Sequence, residues 1–380
     1  MVQKKLLIVA GEASGDLHGS NLIISILGID PSVKTYGIGG IRMTSLGFQS
    51  VFDAANLAVV GLTEVISKFP VIKSAFDKLK DTIDKDRPDL VVLIDYPDFN
   101  LRFAKKVKKR GIPVIYYISP QVWAWRKGRV KKIAKLVDKM LVIFQFEEKI
   151  YKDAGVDVEY VGHPLVDEVK CGLSRIEARQ VLGIDKDNVV VAIAPGSRTS
   201  EISRLMPVIL DAAVIIKREI PSAMFILPLA GTLERRSVER FFNNKEIPVK
   251  IFEKRMYEVI AASDAAIVAS GTATLETALL KTPMVVVYKV SPVTYWIGKA
   301  LVNVDNISLV NIIAGRKVVP ELIQGDANQE RIAGEVLNIL KNAHISNRMT
   351  EDLKMVREKL GKGGASKKSA EIIYRMLSLK

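Results

Sequence analysis

A chain of 380 residues with 48% hydrophobic and 26% charged side chains is long enough for two α/β domains of ordinary size, and too apolar to stay disordered. Its formal charge of +14 points to an anionic partner: nucleic acid, a phosphate-bearing substrate or an acidic membrane surface. One cysteine, Cys171, excludes an intramolecular disulfide and a multi-cysteine metal site, and fits a reducing compartment.

In chain order, apolar strand candidates alternate with helical periodicity, the pattern of parallel α/β architecture. Strands are expected near 5–10, 34–38, 90–95, 113–118, 140–144 and 158–162. A break follows at Gly162-His163-Pro164-Leu165, and strands resume near 188–194, 224–229, 249–252, 265–269 and 284–288. From about 327 onward the pattern is helical and charged. The first apolar run, 6–10, is too short for a secretory signal and is followed by Glu12 and Asp16. No run of 18 apolar residues occurs, so no membrane-spanning helix is expected, and the chain reads as cytoplasmic. The economical fold is α/β: two Rossmann-like parallel-sheet domains, 1–168 and 169–326, facing a central cleft. The helical tail, 327–380, would pack back on the first domain or on a partner subunit.

The loop after the first strand, Gly11-Glu12-Ala13-Ser14-Gly15-Asp16, has the spacing G-x-x-x-G and is neither a dinucleotide fingerprint nor a Walker loop. It is a turn with an Asp cap, or an anion or sugar site with Glu12, Ser14, Asp16 and His18 as polar handles. The stretch 56–76 is more apolar than one amphipathic face requires, broken at Gly61 and Pro70. It reads as a core helix pair or as a surface for a lipid chain. The apolar strand 90–94 ends in Asp95, followed by Asp98 and Asn100, at the carboxyl edge where such folds carry their chemistry. Either carboxylate is a candidate general base; Asp98 is equally well read as a helix cap. The two D-x-D pairs, Asp84/Asp86 and Asp185/Asp187, lie in charged loop or helix-end segments rather than at strand ends, so no metal is expected. Trp123, Trp125, Arg126 and the basic residues through Lys132 suit stacking on bases, an anionic lipid interface or a solvated helix face.

In the second half, Pro195-Gly196-Ser197-Arg198 ends a strand, with Arg198 placed to neutralise a phosphate. Ser270-Gly271-Thr272-Ala273-Thr274 is a small-residue turn opening a helix, whose free amides suit phosphate oxygens. Glu276 is a short reach away and matches a pair of ribose hydroxyls. The bland alternative is a capped helix start with a Glu in its first turn. Asn311 and Arg316 lie in an otherwise apolar segment over 303–316.

Taken together, Ala10 to Asp16, Ile94 to Asn100, Ser119 to Arg126, Pro195 to Arg198, Ala269 to Glu276 and Ser308 to Arg316 resemble the motifs of the lipid-A-disaccharide synthase family, in order and over nearly the whole length. Tyr96, Gln121 and Val310 depart from the Ala, Ser and Pro usual there, without removing an ionisable group. The resemblance implies an inverting GT-B glycosyltransferase that needs no cofactor. It would join UDP-2,3-diacylglucosamine to 2,3-diacylglucosamine 1-phosphate at an anionic inner-membrane surface, with association through the tail into a homodimer as one arrangement. It implies Asp95 as base with Asp98 in reserve, and Arg198, Ser270 to Thr274 and Glu276 on UDP. Glu12, Ser14, Asp16, Asn100, Arg126, Asn311 and Arg316 would line the sugar and acceptor sites. A soluble UDP-N-acetylglucosamine transferase or epimerase is the rival within the fold. Nucleic-acid binding is disfavoured because the basic residues are dispersed and no recognised module is present.

Overall fold

The structure is a computed structural model and describes residues 3–54, 57, 69–123, 127–169, 172–242, 247–291, 295 and 306–378. The expected lipid-facing stretch 56–76 falls largely outside the described residues, as do Trp125 and Arg126.

The chain divides into two compact units, Met1–Pro164 with Lys362–Lys380, and Leu165–Gly361. The first is built on a parallel sheet of β1 (Lys5–Ala10), β2 (Lys34–Gly39), β3 (Gln49–Asp53), β4 (Leu90–Ile94), β5 (Val114–Tyr117), β6 (Lys139–Val142) and β7 (Val158–Tyr160). Their order is β3-β2-β1-β4-β5-β6-β7. The second sheet holds β8 (Val189–Ala194), β9 (Ala223–Leu229), β10 (Val249–Glu253), β11 (Ala265–Ala269), β12 (Met284–Tyr288) and β13 (Glu321–Ile323), in the order β10-β9-β8-β11-β12-β13. Each order reverses direction once, between β1 and β4 and between β8 and β11. Helices leave opposite faces on the two sides of such a switch point, opening a crevice above the strand ends.

Every strand expected from an apolar run is present; the central ones are covered on both faces and read as continuous hydrophobic segments. All of β4 and β11 is buried. The two unexpected strands sit at sheet edges. β3 has the mixed sequence Gln-Ser-Val-Phe-Asp and no fully buried residue, and β13 is only three residues long. Neither carries a periodicity that sequence could reveal.

The helical tail is shared between the units. Helices Gln329–Lys341 and Ala343–Lys359 belong to the second, and Ala365–Ser378 to the first. This last helix packs against Ala13–Ile29. Lys4 Nζ lies 4.1 Å above the Tyr374 ring, and the Tyr374 hydroxyl donates to Asp30 at 3.0 Å. Among the described residues, no helix is long and apolar enough to cross a membrane.

Candidate active site

At the first switch point β1 and β4 pair in register up to Ala10 opposite Ile94, so Gly11 and Asp95 leave the sheet side by side. Asp95 and Tyr96 both adopt left-handed backbone, φ +45° and +48°, a conformation that non-glycine residues rarely take and that surrounding bonds must hold. Those bonds are present. The Asn100 amide donates to the carbonyls of Ile94 (3.1 Å) and Asp95 (2.7 Å), and Asp95 N–H donates to Tyr117 O at 3.1 Å. Gly11 is required by the same turn: a Cβ there would lie 2.4 Å from the Tyr96 ring. The turn leaves Asp95 half-buried at the carboxyl edge of the sheet. Burial first, and the neighbouring Glu12 charge second, push it up to about 6, against the opposing pull of the Tyr96 N–H and of His18.

Asp98 is different. It projects from the first turn of the Pro97–Lys108 helix, is 77% exposed, and pairs with Arg129 at 2.6 Å. Glu12 and Ser14 are exposed at the start of the Ala13–Ile29 helix. Asp16, one turn on, is buried and accepts from the N–H groups of Gly40 (2.8 Å), Arg42 (3.0 Å) and Met43 (3.1 Å). Its carboxylate thus fastens the end of β2 to the first loop. Asn100 likewise acts on backbone.

At the second switch point, the loops after β8 and β11 line a cavity of about 550 Å³ together with residues 228–231, Lys254 and 256–258. Arg198, Ser270, Gly271, Thr272, Ala273 and Glu276 all border it. Two helix starts face this space, and they differ. At Thr199–Glu219, Glu201 folds back so that Oε2 accepts from the N–H groups of Ser197 (3.0 Å) and Arg198 (3.3 Å), while Oε1 meets the Arg198 guanidinium at 3.3 Å. Gly196, at φ +113°, makes room for that carboxylate, since a Cβ would lie 2.2 Å from Oε2. The Thr272–Leu279 helix, in contrast, begins at Gly271 with no side-chain cap. Its opening amides, uncapped by any side chain, border the same cavity as the Arg198 loop, an arrangement that suits an anion. Thr274 is buried, its hydroxyl spent on the Gly271 carbonyl at 2.7 Å. The Glu276 carboxyl is raised by burial and by Glu168, and accepts from the Tyr257 hydroxyl at 3.3 Å.

Two expected sugar-site residues are engaged elsewhere in the second unit. Asn311 is fully buried; its amide donates to Val319 O (3.0 Å) and Glu321 (2.7 Å) and accepts from Val318 N–H (2.7 Å) and Val319 N–H (3.0 Å). Arg316 forms a two-point pair with Asp352 of the Ala343–Lys359 helix. Tyr257, His163 and Glu147 do not stand out in the sequence. His163 is buried against Phe144 and held neutral, its pKa pushed down to about 3 by burial first and by nearby His18 second. No local signal marks these residues, because each becomes chemically distinct only through contacts with distant segments.

Two parallel Rossmann sheets, each with polar loops at its switch point, define the GT-B class of folds. A solved UDP-GlcNAc 2-epimerase from Neisseria meningitidis matches with TM-score 0.64 at 14% identity, covering 98% of this chain and 100% of that one. The glycotransferase of kitacinnamycin gives 0.63 at 15%, covering 99% and 100%. At such identities the likeness is one of fold. The family model described as lipid-A-disaccharide synthetase matches residues 6–374, and the lipid-A-disaccharide synthase of Syntrophus aciditrophicus is 51% identical over 378 residues, 99% of each chain. The chain belongs to the lipid-A-disaccharide synthase family and is a glycosyltransferase.

Proposed function

We propose that the protein transfers 2,3-diacylglucosamine from its UDP derivative to 2,3-diacylglucosamine 1-phosphate. The acceptor 6-hydroxyl attacks the anomeric carbon of the donor from the face opposite UDP. The new C–O bond forms as the bond to the diphosphate breaks, and UDP departs with the electron pair. One displacement inverts the anomeric centre and gives a β-1,6-linked disaccharide 1-phosphate. UDP is a good leaving group, so the reaction needs one base and no strong acid.

Asp95 carries this reading. Its carboxyl is half-buried and ionised above about pH 6, so it is basic enough to take the hydroxyl proton and is still charged at neutral pH. Asp98, exposed and paired with Arg129, is the weaker candidate. The uncapped Thr272–Leu279 helix start and Arg198 would take the growing charge on the diphosphate, and Glu276, oriented by Tyr257, the ribose diol. The first unit then receives the acceptor, with Glu12 and Ser14 at its sugar, and the second receives the UDP-sugar. Both substrates are anionic lipids, which the charge of +14 favours. The same charge supports peripheral attachment to an anionic membrane face on the cytoplasmic side.

The test is UDP release in detergent with EDTA, supplying both diacylated glucosamine substrates, each alone, and unacylated UDP-N-acetylglucosamine with its sugar acceptor. UDP release that requires both lipid substrates, with a disaccharide 1-phosphate product, supports the proposal. Turnover of the unacylated pair at an equal or higher rate would replace it.

A further inference from the structure

Glu147 is 1% exposed, at the third position of the Gln145–Lys152 helix that follows β6. A glutamate there commonly turns back to the N–H before its helix, and Glu147 Oε2 does accept from Phe144 N–H at 3.3 Å. That bond alone needs no burial, and burying a carboxylate is costly unless several donors converge on it. Here they do. Oε1 accepts from the Ser119 hydroxyl at 2.7 Å and from Trp123 Nε1 at 3.1 Å. Among the described residues no cation pairs with it. The carboxylate is therefore held by neutral donors, two of them from one segment of a neighbouring connection.

That segment, 119–123, needs holding. It leaves β5 through Ile118, a β-branched residue at φ +65°, where such side chains are seldom found. Tyr151, one turn along from Glu147, donates to Pro120 O at 3.4 Å. The Trp123 ring meets Phe146 edge-on at 5.4 Å, and Phe146 stacks on Phe144 at 5.5 Å. The segment begins just beyond Tyr117, whose carbonyl binds Asp95 N–H at 3.1 Å. Ser119 is thus two residues from a hydrogen bond to the turn carrying Asp95.

We propose that Glu147 is a positioning residue for acceptor binding, its carboxylate clamping the Trp123 segment at the carboxyl edge of the first sheet. This rests on the reading that the first unit takes the acceptor. The ionised form is the stronger clamp, because its bonds from Ser119, Trp123 and Phe144 are charge-assisted and protonation weakens them. Burial raises Glu147 to about 7, so the clamp loosens as pH falls through neutrality. Among the described residues the titratable group facing it is Tyr151, whose hydroxyl burial keeps neutral; beyond Phe144, His163 is neutral as well.

The experiment uses the full chain carrying Trp125→Phe and Trp296→Phe, so that emission reports Trp123, with and without Glu147→Gln. Trp123 emission should titrate with a midpoint near 7, and the titration should vanish in the Gln variant. Glu147→Gln should raise the acceptor KM about tenfold, leaving the donor KM within about twofold. Emission that does not change between about pH 5.5 and 8.5, or an acceptor KM unchanged by Glu147→Gln, overturns the proposal. So does an equal rise in both KM values, which marks a merely structural role. If the emission titrates as expected but the donor KM alone rises, Glu147 still positions the segment, and the assignment of the acceptor to the first unit fails instead.

Discussion

The Tyr116 hydroxyl donates to the Asp95 carbonyl at 2.5 Å, from the strand beside the one that Asp95 ends. With the Asn100 amide on the same oxygen at 2.7 Å, it fixes a left-handed turn that the sequence Asp-Tyr would not adopt alone. The turn leaves Asp95 half-buried, and that burial sets its basicity. Residues of local sequence and residues far along the chain act on one group, and the consequences are measurable.

Replacing Asp95 by Asn should lower kcat by about 10²–10⁴-fold, the usual contribution of a positioned base. The same change should stabilise the fold at alkaline pH. An acid whose folded pKa lies above its unfolded value contributes stability present below the unfolded pKa and lost as pH rises through the folded one, here from 3.8 through about 6. Ionised Asp95 therefore costs roughly 3 kcal/mol at pH 8, which Asn, also tolerant of left-handed backbone, removes. Thermal unfolding should show a higher Tm for the variant at pH 8 and a smaller difference near pH 4. A lower Tm at both would refute the account of Asp95 as a strained, half-buried carboxylate.

The pH profile of kcat/KM should carry an acid limb near 6, activity falling as Asp95 takes up its proton. Glu12 supplies the second contribution to the raised pKa, so Glu12→Gln should move that limb to lower pH. A limb that stays in place in the variant would assign it to another group.

Gly196→Ala should disturb the loop that carries Arg198. Its Cβ would lie 2.2 Å from Glu201 Oε2, on backbone at φ +113°. We expect a stability loss of about 1–3 kcal/mol and a donor KM raised about tenfold, with acceptor KM little changed. Adding Glu201→Ala should relieve the clash and recover part of the stability. Equal donor KM in wild type and Gly196→Ala would show that the loop does not touch the donor.

Arg316 and Asp352 allow a test of scaffold against site. Asp352 is 9% exposed, so Arg316→Ala strands a buried carboxylate and should cost about 1–3 kcal/mol, visible as a lower Tm. Asp352→Asn leaves no buried charge and should cost less. The reverse ranking would mean that the pair is not the main partner of either group.

Much of the architecture was legible because central parallel strands are short, continuous apolar runs, and the residues that follow them in sequence must emerge at the carboxyl edge. That local rule located Gly11, Asp95, Arg198 and Ser270, and it failed for β3 and β13, whose edge positions demand no such run.

What sequence by itself determined, then, was the two-sheet fold, the loops that carry polar groups, and the family to which six ordered motifs belong. Only the tertiary structure decided the state of each group. It half-buried Asp95 and left Asp98 exposed, three residues apart on one turn of chain. It spent Asp16, Asn100 and Asn311 on backbone amides and carbonyls, and brought Glu147 to Ser119 across 28 residues. Ionisation and hydrogen bonding depend on which distant atoms exclude water from a group, and the spacing of residues along a chain carries no record of them.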